Sequence, residues 1–164
     1  MYKKIIWAND GSPTMERVYP VVRELARDSG APVVLAHVQE TMRIGQHPLF
    51  ADSHRALDSF LQGTGDQLTD DGVDAELVLT ETRSGRAAQA IADLAVEADA
   101  DVIVAGTHGQ GPVAGFFLGG FTIALLQIAP CPVLVVPRHS HEDDRVALAH
   151  QVGEMAGSSR SNIR

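Results

Sequence analysis

The glycine-rich stretch from Gly106 to Thr122 is the part of the chain whose residue types most directly suggest chemistry. It follows the apolar run Val102–Ala105 and leads into a helix-like segment, Ile123–Ala129. A strand that passes through a glycine loop into a helix start presents several backbone N–H groups, and with the helix dipole these favour a bound anion such as phosphate. No formally charged residue lies between Val102 and Pro137. A phosphate here would be held by backbone N–H groups, hydroxyls, a metal ion or His108.

Two familiar nucleotide motifs are absent from the sequence. The phosphate loop GxxxxGK[ST] does not occur, and the only lysines of the chain are Lys3 and Lys4. The dinucleotide fingerprint GxGxxG also fails, because Gly109, Gly111 and Gly115 are spaced one residue too long and no acidic residue follows at the distance that would hold a ribose. A glycine loop that only turns the chain remains the simpler alternative.

Asp10 is the second candidate site residue. A five-stranded parallel sheet in the order 3-2-1-4-5 would reverse its strand order between strands one and four, and ligands of such sheets bind where the order reverses. The turn Ala8–Ser12, which includes Asn9, would then face the glycine stretch. The Asp10 carboxylate could accept hydrogen bonds from a ribose or help to hold a hydrated magnesium ion. As an equal alternative, Asp10 caps the first helix.

His108 and Cys131 are the remaining reactive side chains that the sequence singles out. An imidazole in an uncharged loop could donate to a phosphate or act as a base, but no nucleophile with an orienting carboxylate lies near it in sequence. We therefore expect His108 to brace the loop. Cys131 lies between Pro130 and Pro132, which favours a packed structural thiol. The histidines show no metal-binding spacing.

The composition indicates one soluble α/β domain. The chain has 164 residues, of which 45% are hydrophobic, and it carries a net charge of −8 and one cysteine. The acidic balance argues against a nucleic-acid surface, and the single cysteine is compatible with a reducing cytoplasm. No secretory signal opens the sequence. Glycines and prolines interrupt the uncharged run to Pro137, so we expect no membrane span.

Strand-like and helix-like segments alternate along the chain, which predicts a doubly wound parallel sheet with helices on both faces. The predicted strands are Lys4–Asn9, Pro32–Val38, Ala75–Thr80, Asp101–Ala105 and Val133–Val136. The predicted helices are Thr14–Ser29, Asp52–Asp71, Ser84–Ala98 and Ile123–Ala129.

The pattern of core-forming residues ends near Pro137. This predicts a domain over residues 1–137 and a polar C-terminal tail over 138–164 that could include one short helix. The charged Glu76 places the third strand at one edge of the sheet. The short and apolar Val133–Val136 lies at the other edge, where it invites pairing with a second copy of the chain.

Several motifs together resemble the ATP-binding branch of the universal stress protein family. They are Ile5–Ser12 (IIWANDGS), Leu35–Val38 (LAHV), the spacing of Gly106, Gly109 and Gly119, and Ala129–Val136 (APCPVLVV). The sequence departs from the family at Gly120, where the motif has serine or threonine. The resemblance implies the same doubly wound fold, a homodimer and a regulatory role.

The resemblance also implies roles for individual residues. Asp10 would contact the ribose, Val38 would lie along the adenine, and Gly106, Gly109 and Gly119 would hold the phosphates. Gly120, Phe121 and Thr122 would complete the phosphate site. Position, not the resemblance, adds Ala8 and Asn9 of the turn and His108 of the glycine stretch to the candidate site.

The function that we predict is adenine-nucleotide binding, with ATP as the first candidate ligand, AMP as another, and magnesium as a possible companion. We expect little or no turnover, because no lysine or arginine lies where charge would develop. Two alternatives stay open: a weak ATPase or phosphotransferase, and a dimeric protein of this fold that binds no nucleotide.

Overall fold

The computed structural model describes residues 1–12, 15–41, 51–107 and 119–137, with only the backbone described for 51–54. Strands and helices alternate in this part of the chain as β1 (Ile5–Ala8), α1 (Met15–Ser29), β2 (Val33–Thr41), α2 (Ala51–Asp70), β3 (Ala75–Arg83), α3 (Ala87–Glu97), β4 (Val102–Gly106), α4 (Gly120–Ile128) and β5 (Val133–Val136). The predicted polar tail, residues 138–164, lies outside the described residues.

The five strands form one sheet in the order β3-β2-β1-β4-β5. All neighbouring pairs are parallel, and in the middle of the sheet Trp7 of β1 pairs with Leu35 of β2 on one side and with Val104 of β4 on the other. The predicted fold and strand order are confirmed. The order reverses between β1 and β4, so the carboxyl ends of these two strands flank a crevice.

Helices cover both faces of the sheet. One core lies against α1 and α2 and contains Ile5, Trp7 and Leu35 of the sheet. The other lies against α3 and α4 and contains Ile6 and Ile103. Because both faces are covered, β1 and β4 are apolar throughout and every one of their residues is buried.

Strands β2 and β3 run further than the sequence predicts. They were expected to end at Val38 and Thr80, yet they stay paired as far as Thr41 and Arg83. The added residues are mostly polar, and Glu81 and Arg83 are exposed. Backbone hydrogen bonds between neighbouring strands need no apolar side chain, so hydrophobicity alone could not mark these ends.

Two residues that usually weaken helices lie inside regular ones. Pro20 is within α1, where the buried Val18 and Val22 anchor the helix on either side of it. Gly63 and Gly65 are within α2. Tertiary packing outweighs the local preference in both helices.

In the part of the chain that the structure describes, no helix has the length and apolar character needed to cross a membrane.

Candidate functional site

Polar residues buried in the described part of the molecule gather at one end of the sheet. They are Asn9, Ser12, His37 and Thr122, and none is more than 8% exposed. Asn9 and Ser12 follow β1, and Thr122 lies in the first turn of α4, which follows β4. His37 is in the middle of β2, one residue after Ala36, which pairs with the last residue of β1. Burying a polar group lowers folding stability unless the group is hydrogen-bonded. The concentration of such groups beside the crevice therefore indicates that this end of the sheet is the candidate functional site.

The turn after β1 is held by its own side chains. The Asn9 side-chain oxygen Oδ1 accepts a hydrogen bond from the Gly11 N–H at 2.8 Å. The Asp10 carboxylate oxygen Oδ1 accepts one from the Ser12 N–H at 3.0 Å. The Ser12 carbonyl in turn accepts from the Met15 N–H at 2.9 Å, where α1 begins. Asp10 is thereby fixed as a partly exposed residue at the floor of the crevice.

His37 ties this turn to β2. Its ring nitrogen Nδ1 lies 2.8 Å from the Asn9 carbonyl oxygen. A carbonyl can only accept, so Nδ1 carries the proton and donates it. The Asn9 N–H also donates to the Ala36 carbonyl, at 2.9 Å. Both backbone groups of Asn9 are therefore bonded to the middle of β2, at Ala36 and His37, immediately before Val38.

Gly11 is required by the shape of the turn. Its φ is +73°, a left-handed conformation that glycine adopts without strain. A Cβ at this position would also collide with the end of the Leu57 side chain of α2. The turn is thus both tightly wound and closely covered.

Backbone contacts bring the two described ends of the glycine stretch together. The Gly119 N–H donates to the Thr107 carbonyl at 2.7 Å. The Thr122 hydroxyl donates to the Gly106 carbonyl at 2.9 Å. The start of α4 is therefore fixed against the end of β4. His108 and Gly109, which we predicted to be in the site, lie outside the described residues.

The first turn of α4 has no capping side chain. Gly119 precedes it with φ −59° and ψ 152°, and the first helical bond runs from the Ile123 N–H to the Gly119 carbonyl. The helix has no acidic residue in its first turn. The N–H groups of Gly120, Phe121 and Thr122 precede that bond and give the crevice a positive backbone pole.

Two of the remaining predicted residues are the last residues of their strands. Ala8 is the last residue of β1, and Gly106 is the last of β4. Val38 is partly buried in β2 and packs against the core under α3 and α4, as does Phe121. The turn and the start of α4 thus approach the crevice from opposite sides, with Val38 one strand away.

The described hydrogen bonds bear on the expected roles of Asp10 and Thr122. The Asp10 carboxylate bonds to the Ser12 N–H within its own turn, and α1 begins at Met15, five residues after Asp10. The Thr122 hydroxyl is engaged within the protein. Thr122 is 2% exposed, and its hydroxyl proton is donated to the Gly106 carbonyl.

Cys131 is partly buried beside the core under α3 and α4. Burial raises the pKa of its thiol, and the nearby negative charge of Asp101 raises it further. A thiol with a raised pKa stays protonated at neutral pH and is a poor nucleophile.

Comparison with known proteins identifies the family. The model of the universal stress protein family matches residues 1–137. A universal stress protein of Thermus aquaticus is 34% identical over 139 residues, which are 83% of this chain and 99% of that protein.

The chain belongs to the universal stress protein family. Solved structures of the family share its fold. A universal stress protein in complex with cAMP has a TM-score of 0.64 at 22% identity, over 84% of this chain and 98% of that one. The Archaeoglobus fulgidus protein in complex with dAMP has a TM-score of 0.64 at 24% identity, over 82% of this chain and 97% of that one.

Sequence reasoning did not single out His37 or Ser12 in this universal stress protein. A histidine inside an apolar strand looks like an ordinary core residue, and a serine after Asp-Gly looks like ordinary turn chemistry. The available signal was position, because His37 is the one strongly polar side chain in an otherwise apolar run that ends at Val38.

Proposed function

We propose that this universal stress protein binds an adenine nucleotide, with ATP as the first candidate, in the crevice between the turn after β1 and the start of α4. The observation that carries the proposal is the gathering of buried polar residues at this end of the sheet. Related structures hold cAMP and dAMP, which supports an adenine nucleotide as the ligand class. In this arrangement Asp10 would bind the ribose, and Val38 would lie along the adenine.

The residues present fit a nucleotide phosphate without a cationic side chain. The α4 end offers backbone N–H groups and no acidic residue. Magnesium accompanying ATP would be bound chiefly by phosphate oxygens, because Asp10 is the only carboxylate in the turn. The glycine stretch as a whole, including His108 and Gly109, would then cradle the phosphates.

We expect binding with little or no turnover, and therefore a regulatory role. Phosphoryl transfer needs positive charge where negative charge develops, and residues 102–137 contain no lysine or arginine. A multiple-turnover assay of phosphate release tests this point. Steady release that is lost in a His108→Ala variant would show an enzyme.

Binding itself is tested on the purified protein. Mass spectrometry of the denatured protein should detect a released adenine nucleotide, and calorimetry should show ATP binding to the nucleotide-free protein. A folded protein that releases no nucleotide and gives no heat with ATP, AMP or cAMP would reject the proposal in favour of a non-binding member of the fold.

We also propose a cytoplasmic homodimer paired through β5. In the described sheet β5 has a neighbour on one side only, and Leu134 on it is 36% exposed. The adjoining helix α4 exposes Ile123, Leu126 and Ile128. An apolar edge beside an apolar helix face favours self-association.

Paired substitutions at the two edges of the sheet test the dimer. Leu134→Lys should yield a monomer by light scattering, because it places like charges across the proposed two-fold axis. Leu79→Lys is the matched control, since Leu79 is an exposed leucine on the opposite edge strand, β3. Loss of the dimer in the control and its retention in Leu134→Lys would contradict the proposal.

A further inference from the structure

The outer edge of β3 is open along its whole length. In the described sheet β3 pairs only with β2, and its nine residues, Ala75–Arg83, stay in one unbroken register with that neighbour. Backbone N–H and C=O groups of alternate residues therefore face away from the sheet. Such an edge accepts a further strand unless proline, lysine or a bulge protects it, and β3 contains none of these.

An open groove lies beside this edge, between β3 and α2. It is lined by two leucines of β3 and by polar residues of α2, namely Leu77, Leu79, Asp58, Ser59, Gln62 and Asp66. Its volume of about 450 Å³ is room for several side chains. Leu79 is 47% exposed, so an apolar side chain is left half uncovered next to the open backbone groups of the edge.

The groove is acidic. Its described lining residues include two carboxylates, those of Asp58 and Asp66, and no cationic side chain. The exposed Glu81 is on the same face of β3 as Leu79, because strand residues two apart share a face. The only basic residue of β3, Arg83, is its last. Exposed apolar side chains next to carboxylates favour a ligand that carries both apolar and cationic side chains.

A second copy of the chain fits this edge poorly. Two β3 strands paired about a two-fold axis perpendicular to the sheet would bring the carboxylates of both copies to the same face of the joined sheet. Like charges that lie close together oppose such pairing, and each chain carries a net charge of −8. The opposite edge strand, β5, consists of valine and leucine alone and has no such repulsion.

We propose that the open edge of β3 and the adjoining groove bind an extended segment of a partner protein that carries apolar and basic side chains. The segment adds a strand to the sheet and places those side chains against Leu79, Asp58 and Asp66. Main-chain hydrogen bonds would supply affinity, and alternate side chains would supply specificity. This surface is at the opposite edge of the sheet from β5, so pairing through β5 would leave it open on both protomers.

The heptapeptide KTVTVTK tests the inference. As a strand it carries lysine and valine on one face and threonine on the other, and its sequence reads the same in both directions, so either strand direction is sampled. In fluorescence anisotropy with the full-length protein it should bind saturably, and at least about tenfold more tightly than ETVTVTE or the shuffled KKTTTVV. Absence of saturable binding, or equal binding of the three peptides, would overturn the inference.

Two leucine variants locate the binding surface. Leu79→Lys should weaken binding of KTVTVTK by at least about tenfold, because it removes an apolar contact and adds a like charge. Leu134→Lys adds the same charge to the opposite edge strand and should bind the peptide with wild-type affinity. Thermal unfolding confirms that both variants are folded. Equal weakening in both would show that the peptide responds only to the net charge of the protein, which would overturn the inference.

Asp66→Lys and Asp93→Lys form a second matched pair. Each aspartate is exposed on a helix and accepts a hydrogen bond from the glutamine four residues before it, Gln62 at 3.2 Å and Gln89 at 2.8 Å. Asp66→Lys should weaken binding of KTVTVTK by about threefold to tenfold, and Asp93→Lys, on α3 and away from the groove, should leave it unchanged. Equal losses in both variants would contradict a site in this groove.

Amide hydrogen exchange distinguishes strand addition from binding through side chains alone. KTVTVTK should slow the exchange of alternate backbone N–H groups between Ala75 and Arg83 and leave β5 unchanged. Unchanged exchange in β3 would overturn the inference. Exchange at this edge that is already slow in the free protein would also overturn it, because a second copy or the C-terminal tail would then cover the edge; dependence on protein concentration would identify the second copy.

Discussion

The two sides of the crevice are built by different means. On the β1 side, Asn9, Asp10 and His37 use side chains to hold the backbone. On the α4 side, Gly119 bonds through its backbone, and the helix start is free of capping side chains. The β1 side is defined by side-chain hydrogen bonds to the backbone, whereas the α4 side offers uncapped backbone N–H groups, with the Thr122 hydroxyl fixing the helix start to the Gly106 carbonyl.

The difference predicts how each side responds to substitution. A change in the turn after β1 removes internal hydrogen bonds, so folding stability and ligand binding should fall together. A change at the start of α4 alters the access of a ligand to backbone N–H groups, so binding should change with little effect on stability. Four experiments bear on this contrast.

Gly119→Val should have the largest effect. The backbone angles of Gly119 are open to any residue, so valine should add no backbone strain there. Its branched side chain would stand beside the N–H groups of Gly120 and Phe121 and obstruct a phosphate. We expect ATP affinity to fall by at least ~100-fold, equivalent to about 2.7 kcal/mol, with an unchanged melting temperature.

Gly63→Val in α2 is the control, because a Cβ there meets no other atom within 4 Å. It should bind ATP like the wild type. Two results would contradict the predicted difference between the two sides of the crevice. One is wild-type ATP affinity in Gly119→Val, and the other is a loss of binding that is explained by unfolding of the variant.

His37→Ala should lower both the folding stability and the affinity for ATP. It leaves a cavity and deprives the Asn9 carbonyl of its donor, at a cost of about 2–4 kcal/mol in the free energy of unfolding. Because the Asn9 carbonyl directly precedes Asp10, ATP affinity should fall as well. Denaturant titration and calorimetry measure the two quantities.

His37→Asn is the matched rescue, since its amide nitrogen can replace the Nδ1 donor. It should recover most of the ATP affinity but only part of the stability, because the asparagine side chain is smaller than imidazole. If His37→Ala loses stability but binds ATP with wild-type affinity, His37 stabilises the fold and does not contribute to ATP binding.

Gly11→Ala should destabilise the protein by about 1–2 kcal/mol through its left-handed backbone. Gly30→Ala is closely matched, with φ +68° and no atom within 4 Å of the added Cβ. The excess cost at Gly11 then measures the collision with Leu57. Chemical denaturation measures the free energy of unfolding of both variants. Equal losses would show that the Leu57 side chain moves aside without a measurable energetic cost.

Gly120→Ser should have the smallest effect and the opposite sign. Gly120 is not among the described glycines with positive φ, and a Cβ there meets nothing within 4 Å. A serine hydroxyl could then bind a phosphate oxygen, so we expect ATP affinity to rise by about threefold to tenfold. Gly120→Ala is the control, because it reduces the backbone flexibility of the unfolded chain without adding a hydroxyl. Equal gains in ATP affinity in both variants would show that the hydroxyl does not bind the phosphate.

The sequence predicts the sheet and its crevice well because both follow from apolar runs. The fully buried strands β1 and β4, the buried first half of β2 and the position of Asp10 after β1 follow from hydrophobic pattern and parallel topology. Glu76 correctly marks β3 as an edge strand. These features depend on residue type and chain order alone.

What the sequence does not reveal depends on three-dimensional contacts. The bond from the Thr122 hydroxyl to the Gly106 carbonyl joins residues 16 apart along the chain, and the bond from His37 to Asn9 joins residues 28 apart. No local pattern distinguishes a threonine that binds a carbonyl from one that faces a ligand. For the same reason Asp10 looked equally suited to capping a helix.

Trp7, the single tryptophan of the chain, lies in β1 two residues before Asn9 and is 1% exposed. The Tyr19 ring meets it edge-on, with ring centroids 6.1 Å apart. An indole shielded from water emits at shorter wavelengths than an exposed one, and a neighbouring tyrosine can transfer excitation to it. The protein therefore carries its own optical probe beside the crevice: a shift of its emission to longer wavelengths reports unfolding without any attached label.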